Sequence, residues 1–130
     1  MTPRPFGVYV HFPYCAHRCP YCDFAVTTAP VPAGGRYVRA VLAELGLRAA
    51  GFDGLELVSV YLGGGTPSRW AVEEVAGVLA AIRGRFGAAA LREVTIEANP
   101  ESCDRARLAA WRDAGVNRVS IGVQSFDPGV

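Results

Sequence analysis

Apolar positions along this chain fall into two alternating kinds of run. Residues 6–12 and 57–62 are short and rich in β-branched and aromatic side chains, as are residues 92–98 and 117–124; each predicts a strand. The run over 57–62 is almost continuously apolar, the pattern of a strand buried on both faces. Between these runs the apolar spacing changes to three and four. Val38, Val41, Leu42, Leu45 and Ala49 make one face of a helix over 37–50, with Gly51 as its stop. Val72, Val75, Leu79, Ile82 and Phe86 form the stripe of a second helix. A third helix carries Leu108 and Trp111, with Ser102 as its predicted N-cap and Gly115 as its glycine terminator. Strand alternating with helix predicts βαβ units in an α/β fold. That is four parallel strands and three helices, with the strands side by side in chain order. Right-handed crossovers place every helix on one side of a sheet that curls toward a barrel.

The polar and glycine-rich runs all fall just after predicted strands. A cysteine-rich loop follows the first, Gly63-Gly64-Gly65-Thr66-Pro67 follows the second, Glu97 and Asn99 close the third and Gln124 closes the fourth. These are the C-terminal ends of parallel strands, where barrel and open α/β proteins build their sites.

Composition narrows the setting. The chain has 130 residues, 51% of them hydrophobic, and a formal net charge of +1. That is one domain's worth, with enough apolar material for a core and no basic excess to suggest nucleic acid or an anionic membrane surface. All 13 basic residues are arginine, which reads as GC-rich coding bias. The opening residues lack the apolar region of a signal peptide, and no uncharged stretch is long enough to span a bilayer. The expected compartment is the reducing cytoplasm.

The chemistry is concentrated in Tyr14-Cys-Ala-His-Arg-Cys-Pro-Tyr-Cys-Asp-Phe24, where Cys15, Cys19 and Cys22 follow the spacing C-x3-C-x2-C. The fourth cysteine, Cys103, lies far along the chain and reads as a free thiol. Three thiolates can hold three irons of a 4Fe–4S cluster and leave the fourth iron open for a ligand. S-adenosylmethionine, bound through its amino and carboxylate groups, suits that position, and an electron from the cluster would cleave its sulfonium to a 5′-deoxyadenosyl radical. Three other readings compete. A Cys3His zinc site could recruit His11 or His17, but zinc ligands usually come as two separated pairs. A disulfide cannot satisfy three thiols, and nothing marks the chain as secreted. A buried thiol cluster fits poorly with Pro20, Arg18, His17 and Asp23, which make the loop polar.

The glycines at 63–65 let a backbone approach a ligand with no side chain between. They lack both the GxGxxG pattern and the lysine of a phosphate-binding loop. Glu97 reads either as a solvated strand-end carboxylate or as the acceptor for a ligand's amino group or hydroxyl. Gln124 reads as a core amide or a ribose contact, Tyr21 as a ring lying against adenine, and His11 as a hydrogen-bonded strand residue.

Taken together, these runs resemble the radical S-adenosylmethionine superfamily, and within it the oxygen-independent coproporphyrinogen-III oxidase-like group. The matching segments are residues 9–15, the cysteine triplet, Leu62-Gly-Gly-Gly-Thr-Pro-Ser68, Thr95-Ile-Glu-Ala-Asn-Pro-Glu101 and residues 115–126. The resemblance implies that Cys15, Cys19 and Cys22 bind the cluster. It implies that Tyr9, Tyr21, Gly64, Gly65, Thr66, Glu97 and Gln124 contact S-adenosylmethionine. The oxidases of this group carry a further cysteine two residues after the third and a longer segment before the cluster. Here Phe24 stands at that place and only 14 residues precede Cys15. Both features resemble the heme-chaperone branch, which implies heme binding, an electron donor and a heme-accepting partner protein, without porphyrinogen decarboxylation. A true oxidase and an inactive, cluster-free remnant are the alternatives. The group's domain is a partial (β/α)6 TIM-like barrel followed by a C-terminal domain. Residues 1–130 would be the N-terminal portion of that radical SAM core.

Overall fold

The computed structural model describes residues 2–129. The elements alternate as predicted: β1 (Pro5–Phe12), α1 (Arg36–Arg48), β2 (Glu56–Gly64), α2 (Val72–Phe86), β3 (Glu93–Ala98), α3 (Arg105–Ala114) and β4 (Arg118–Ile121). Single 3-10 turns at Ala49–Phe52, Pro67–Arg69 and Pro100–Ser102 connect them. The sheet is parallel throughout and its order is β1-β2-β3-β4, the order of the chain.

Side chains alternate between the two faces of each strand, and the two faces differ sharply. Val10 and Phe12, Val60 and Leu62, and Val94, Ile96 and Ala98 are buried in one cluster with Val75, Val78, Leu79 and Ile82 of α2, together with Trp70 and Trp111. At about 25 cal/mol per Å² of apolar area, this burial is the main favourable term in folding. The other face carries Tyr9, His11, Tyr61, Thr95, Glu97, Arg118 and Ser120. Register puts Tyr9 opposite Tyr61, Tyr61 opposite Thr95, and Thr95 opposite Arg118. No described helix covers this polar face, so β2 is buried on one side and open on the other. The expectation of two buried faces missed Ser59 and Tyr61, which supply the polar alternation.

Several boundaries differ from the sequence expectation for local reasons. The first helix ends at Arg48 and tightens into a 3-10 turn through Phe52, so Gly51 lies inside the turn. The N-cap of α3 is Asp104, whose carboxylate accepts the Arg107 N–H. Ser102 instead exchanges a hydroxyl bond with the buried Ser68 at 3.1 Å. β4 stops at Ile121 because the chain turns there: Val123 and Ser125 each donate to the carbonyl two residues back, and Gln124 takes φ 66°. Gly115 ends α3 as expected, at φ 108°, with its N–H bonded to the Arg112 carbonyl. Arg83 of α2 donates to the carbonyls of Ala114 and Gly115, both at 3.2 Å, and so ties the two helices together.

Tyr37 anchors α1 to the C-terminal end of β1 by donating its hydroxyl to the His11 carbonyl. Burial pushes the Tyr37 phenol up from 10.0 to about 12, with smaller contributions from Tyr14, Tyr9 and Glu44. Below pH 10 the phenol is neutral in both folded and unfolded chains. Above it the unfolded chain ionises first, so this contribution to stability drains away between pH 10 and about 12. Tyr37→Phe is therefore expected to lower stability at pH 8 by about 1 kcal/mol through the lost hydrogen bond. It should also flatten the alkaline decline, as read from urea melts across that range.

Two glycine substitutions should have opposite signs. Gly46 lies on the exposed side of α1 with nothing within 4 Å of an added Cβ, so Gly46→Ala should stabilise by up to about 1 kcal/mol. At Gly115 the positive φ is strained for alanine, and the new Cβ would fall 1.8 Å from Arg83 Nη2. Gly115→Ala should destabilise by about 1–3 kcal/mol. Equal effects in chemical denaturation would contradict the two environments.

Candidate functional site

The cysteine loop is closed at its neck by backbone bonds. Thr27 N–H donates to the Pro13 carbonyl at 2.8 Å and Cys15 N–H to the Thr27 carbonyl at 2.9 Å. Within the loop, Cys22 N–H donates to the Cys19 carbonyl at 3.0 Å, and the Arg18 guanidinium grips the Cys22 carbonyl. His11 reaches the far side: its Nε2 lies 2.6 Å from the Ala25 carbonyl oxygen. A carbonyl only accepts, so Nε2 carries the proton. In the neutral ring Nδ1 then accepts from the Tyr9 hydroxyl at 2.9 Å. His11 is thus a hydrogen-bonded strand residue, and it spans from the open sheet face to the loop.

Cys15 is buried, and its sulfur accepts the Thr66 hydroxyl at 3.5 Å; Cys19 and Cys22 are half-buried. The polar character expected of the whole loop holds for its outer part and fails at Cys15. Among the described residues no three Cys, His, Asp or Glu side chains are gathered around a single ion position. Ligands of a 4Fe–4S cluster each bind a different iron, so their sulfurs stand farther apart than those around one ion.

The second component is the glycine run. β2 extends to Gly64, two residues beyond the predicted strand. Gly65 N–H donates to the Phe12 carbonyl at 2.6 Å and Thr66 N–H to the Tyr14 carbonyl at 3.0 Å, which stitches the run to the root of the cysteine loop. The approach leaves no room for side chains: a Cβ would lie 2.8 Å from the Phe12 oxygen at Gly64 and 2.7 Å from the Pro13 carbonyl at Gly65. Glu97, from β3, closes the arrangement. Its Oε1 accepts the Gly64 N–H at 2.9 Å and its Oε2 accepts the Tyr61 hydroxyl at 3.0 Å.

A cavity of about 150 Å³ opens at this rim, lined by Gly64, Gly65, Thr66, Glu97 and Gln124, together with Phe24, Asn99 and Ser120. Five sequence-predicted residues therefore meet around one space. Tyr9, Tyr21 and the three cysteines of the loop are not among its lining. Tyr9 stands on the open sheet face, its ring 6.0 Å from that of Tyr61. Its phenol is pushed up chiefly by burial, then by Glu97 and Tyr61. Tyr21 is exposed, and its phenol is pushed up first by a hydrogen bond with Cys19. Burial, then the bond to Glu97, raises the Tyr61 phenol. Sequence reading passed over Tyr61 and Ser120; their signal was the period-two position they share with Tyr9 and Glu97. A larger cavity of about 440 Å³ lies between β1 and α1, lined mainly by apolar side chains such as Phe6, Val8, Leu45 and Phe86. No residue of α1 is fully buried, so this space is a gap in helix packing, and none of the cysteines lines it.

The radical SAM superfamily pattern matches residues 9–130, and the chain belongs to that superfamily. It is 46% identical over 134 residues to the heme chaperone HemW of Mycobacterium tuberculosis, covering 100% of this chain and 34% of the relative. To HemW of Escherichia coli it is 40% identical over 124 residues, covering 94% of this chain and 32% of the relative. Among solved structures it is similar to the coproporphyrinogen III oxidase HemN of Escherichia coli, described as a radical SAM enzyme. That match has a TM-score of 0.80 at 29% identity and covers 98% of this chain and 30% of the oxidase. The expected fold is thereby met: four parallel strands and three helices of a radical SAM TIM-like barrel. The chain spans about a third of the length of the curated relatives it matches.

The contact between Gly65 and the loop root yields a direct test. Gly65→Ala pushes a methyl group against backbone atoms of Pro13 and Tyr14, which cannot swing aside. We expect a loss of about 1–3 kcal/mol in urea denaturation, with faster hydrogen exchange at the Cys15 and Thr27 amides. Unchanged stability and exchange would place the glycine run away from the loop.

Proposed function

We propose that this chain carries the cofactor site of a heme-chaperone-like radical SAM protein. One observation carries the reading: the glycine run, Glu97 and Gln124 line one cavity at one end of the sheet, and Gly65 and Thr66 bond that cavity's wall to the root of the cysteine loop. The donor set suits a 4Fe–4S cluster, with Cys15, Cys19 and Cys22 each holding an iron and one iron left open. When bound, the cluster supplies the electron that cleaves the sulfonium of S-adenosylmethionine. The chain's own residues bind and orient. Gly64, Gly65 and Thr66, whose N–H groups are already bonded within the chain, offer backbone carbonyls to the methionyl moiety, and Glu97 receives its ammonium. Gln124 meets the ribose; Tyr9 and Tyr21, which the family resemblance matches to ligand contacts, stand outside the cavity's lining. His11 and Arg18 hold the loop in shape through its carbonyls.

The chaperone reading, in preference to an oxidase, is supported by Phe24. An apolar ring lines the cavity where the oxidases of the group carry a sulfur. It is supported also by HemW relatives at 46% and 40% identity, against 29% for the oxidase. In this reading the full-length protein binds heme, takes electrons from a cytoplasmic reductant and passes heme to an acceptor protein. No described helix is long and apolar enough to cross a membrane.

Anaerobic reconstitution tests the ligand set. Alanine at Cys15, Cys19 or Cys22 should abolish the iron–sulfur absorption, and Cys103→Ala should keep it. Loss in a folded Cys103→Ala protein would overturn the assignment. Failure of the unsubstituted protein to take up iron and sulfide would favour the inactive remnant. With a strong reductant, the full-length protein should retain heme and bind S-adenosylmethionine without forming vinyl groups from coproporphyrinogen. Multiple turnovers of decarboxylation, followed by chromatography, would restore the oxidase.

A further inference from the structure

Tyr61 belongs to none of the motifs that mark the site, yet it makes one of the two hydrogen bonds that hold Glu97. The geometry points to Tyr61 as a positioning residue, which locks the Glu97 carboxylate in the orientation that receives a cationic amine. The inference rests on the reading of the cavity as an S-adenosylmethionine site.

An ionised carboxylate has about four lone-pair directions, two on each oxygen. Gly64 N–H occupies one on Oε1 and the Tyr61 hydroxyl one on Oε2. Both donors come from β2, one from backbone and one from a side chain, so together they fork across to β3. A carboxylate held at both oxygens cannot spin about its terminal bond. Its remaining lone pairs then keep a fixed direction. Glu97 lines the cavity and Tyr61 does not, so Tyr61 acts through Glu97. The Tyr61 ring is itself held against Tyr9, 6.0 Å between centroids and 24° from parallel. Its hydroxyl therefore sits at the end of a braced lever. A glycine at position 63 clears the space between them: a Cβ there would lie 2.6 Å from Glu97 Oε1 and 2.8 Å from the Tyr61 ring.

Tyr61→Phe removes the hydroxyl and keeps the ring and its stack. In the ligand-free chain, the Gly64 amide resonance should move in the same direction as in Glu97→Gln, because both variants weaken the bond from the Gly64 N–H to the residue-97 oxygen. In the reconstituted full-length protein, Tyr61→Phe should weaken S-adenosylmethionine binding about tenfold, the scale of one hydrogen bond to a charged group. On a Glu97→Gln background it should cost nothing further, since the pair acts as one unit. Tyr61→Met, which fills space without a donor, should repeat the result and serves if the phenylalanine variant does not fold. Wild-type affinity in either folded variant, additive losses in the double variant, or an unmoved Gly64 amide would overturn the positioning role. Undiminished binding in Glu97→Gln would instead overturn the ligand reading of the cavity, whatever the amide shows.

Discussion

The close approach of a bare backbone to the root of the cysteine loop organises the rest of this structure. Gly65 and Thr66 donate to the carbonyls of Phe12 and Tyr14, two residues apart on the incoming chain. These bonds extend the β1–β2 pairing past the end of both strands. A loop of thiols and a loop of glycines thereby become one rigid rim. Any side chain at Gly64 or Gly65 would meet carbonyl atoms that are already hydrogen-bonded. The contact also brings the Thr66 hydroxyl to the Cys15 sulfur, so the innermost thiol is the best-held of the three.

The sheet beneath this rim is strongly two-faced. Its helix side is closed by Trp70, Trp111, Phe12 and by Val75, Val78, Leu79 and Ile82 of α2, all fully buried or nearly so. Its other side presents Tyr9, His11, Tyr61, Glu97, Arg118 and Ser120 with no described helix over them, and of this face only Thr95, bonded by Arg118, is fully buried. A face of that polarity is stable only in water or around a polar ligand. Its hydrogen bonds run sideways along the sheet rather than into a core: Tyr9 to His11, Tyr61 to Glu97, and Arg118 to Glu93 and Thr95. The polar groups of this face are paired before any ligand arrives. Pairing of that kind pre-organises a site.

Phe24 shows how one side chain changes the character of such a site. It follows the third cysteine by two residues, is 64% exposed and contributes to the rim cavity beside Gly64 and Gln124. A thiol at this place would add a redox-active, metal-binding atom to the wall of the rim cavity. A phenyl ring adds only apolar surface. The same scaffold can therefore keep the shape of its rim while changing the chemistry that its cavity offers.

Residue order alone determined the strand–helix alternation, the chain-order sheet and the end of the sheet where the cysteine loop, the glycine run and Glu97 gather. The reason is that these follow from local periodicity and from the handedness of parallel crossovers. The cysteine spacing and the glycine run were equally legible, since each is contiguous. Tertiary structure decided what depends on neighbours across strands. Cys15 is buried while Cys19 and Cys22 are not, because only Cys15 lies under Thr66. Asp104 rather than Ser102 caps α3, because Ser102 is engaged by Ser68 from another turn. Tyr61 joins Glu97 across 36 residues of sequence. No local pattern encodes such a pairing; it exists only once β2 and β3 lie in register.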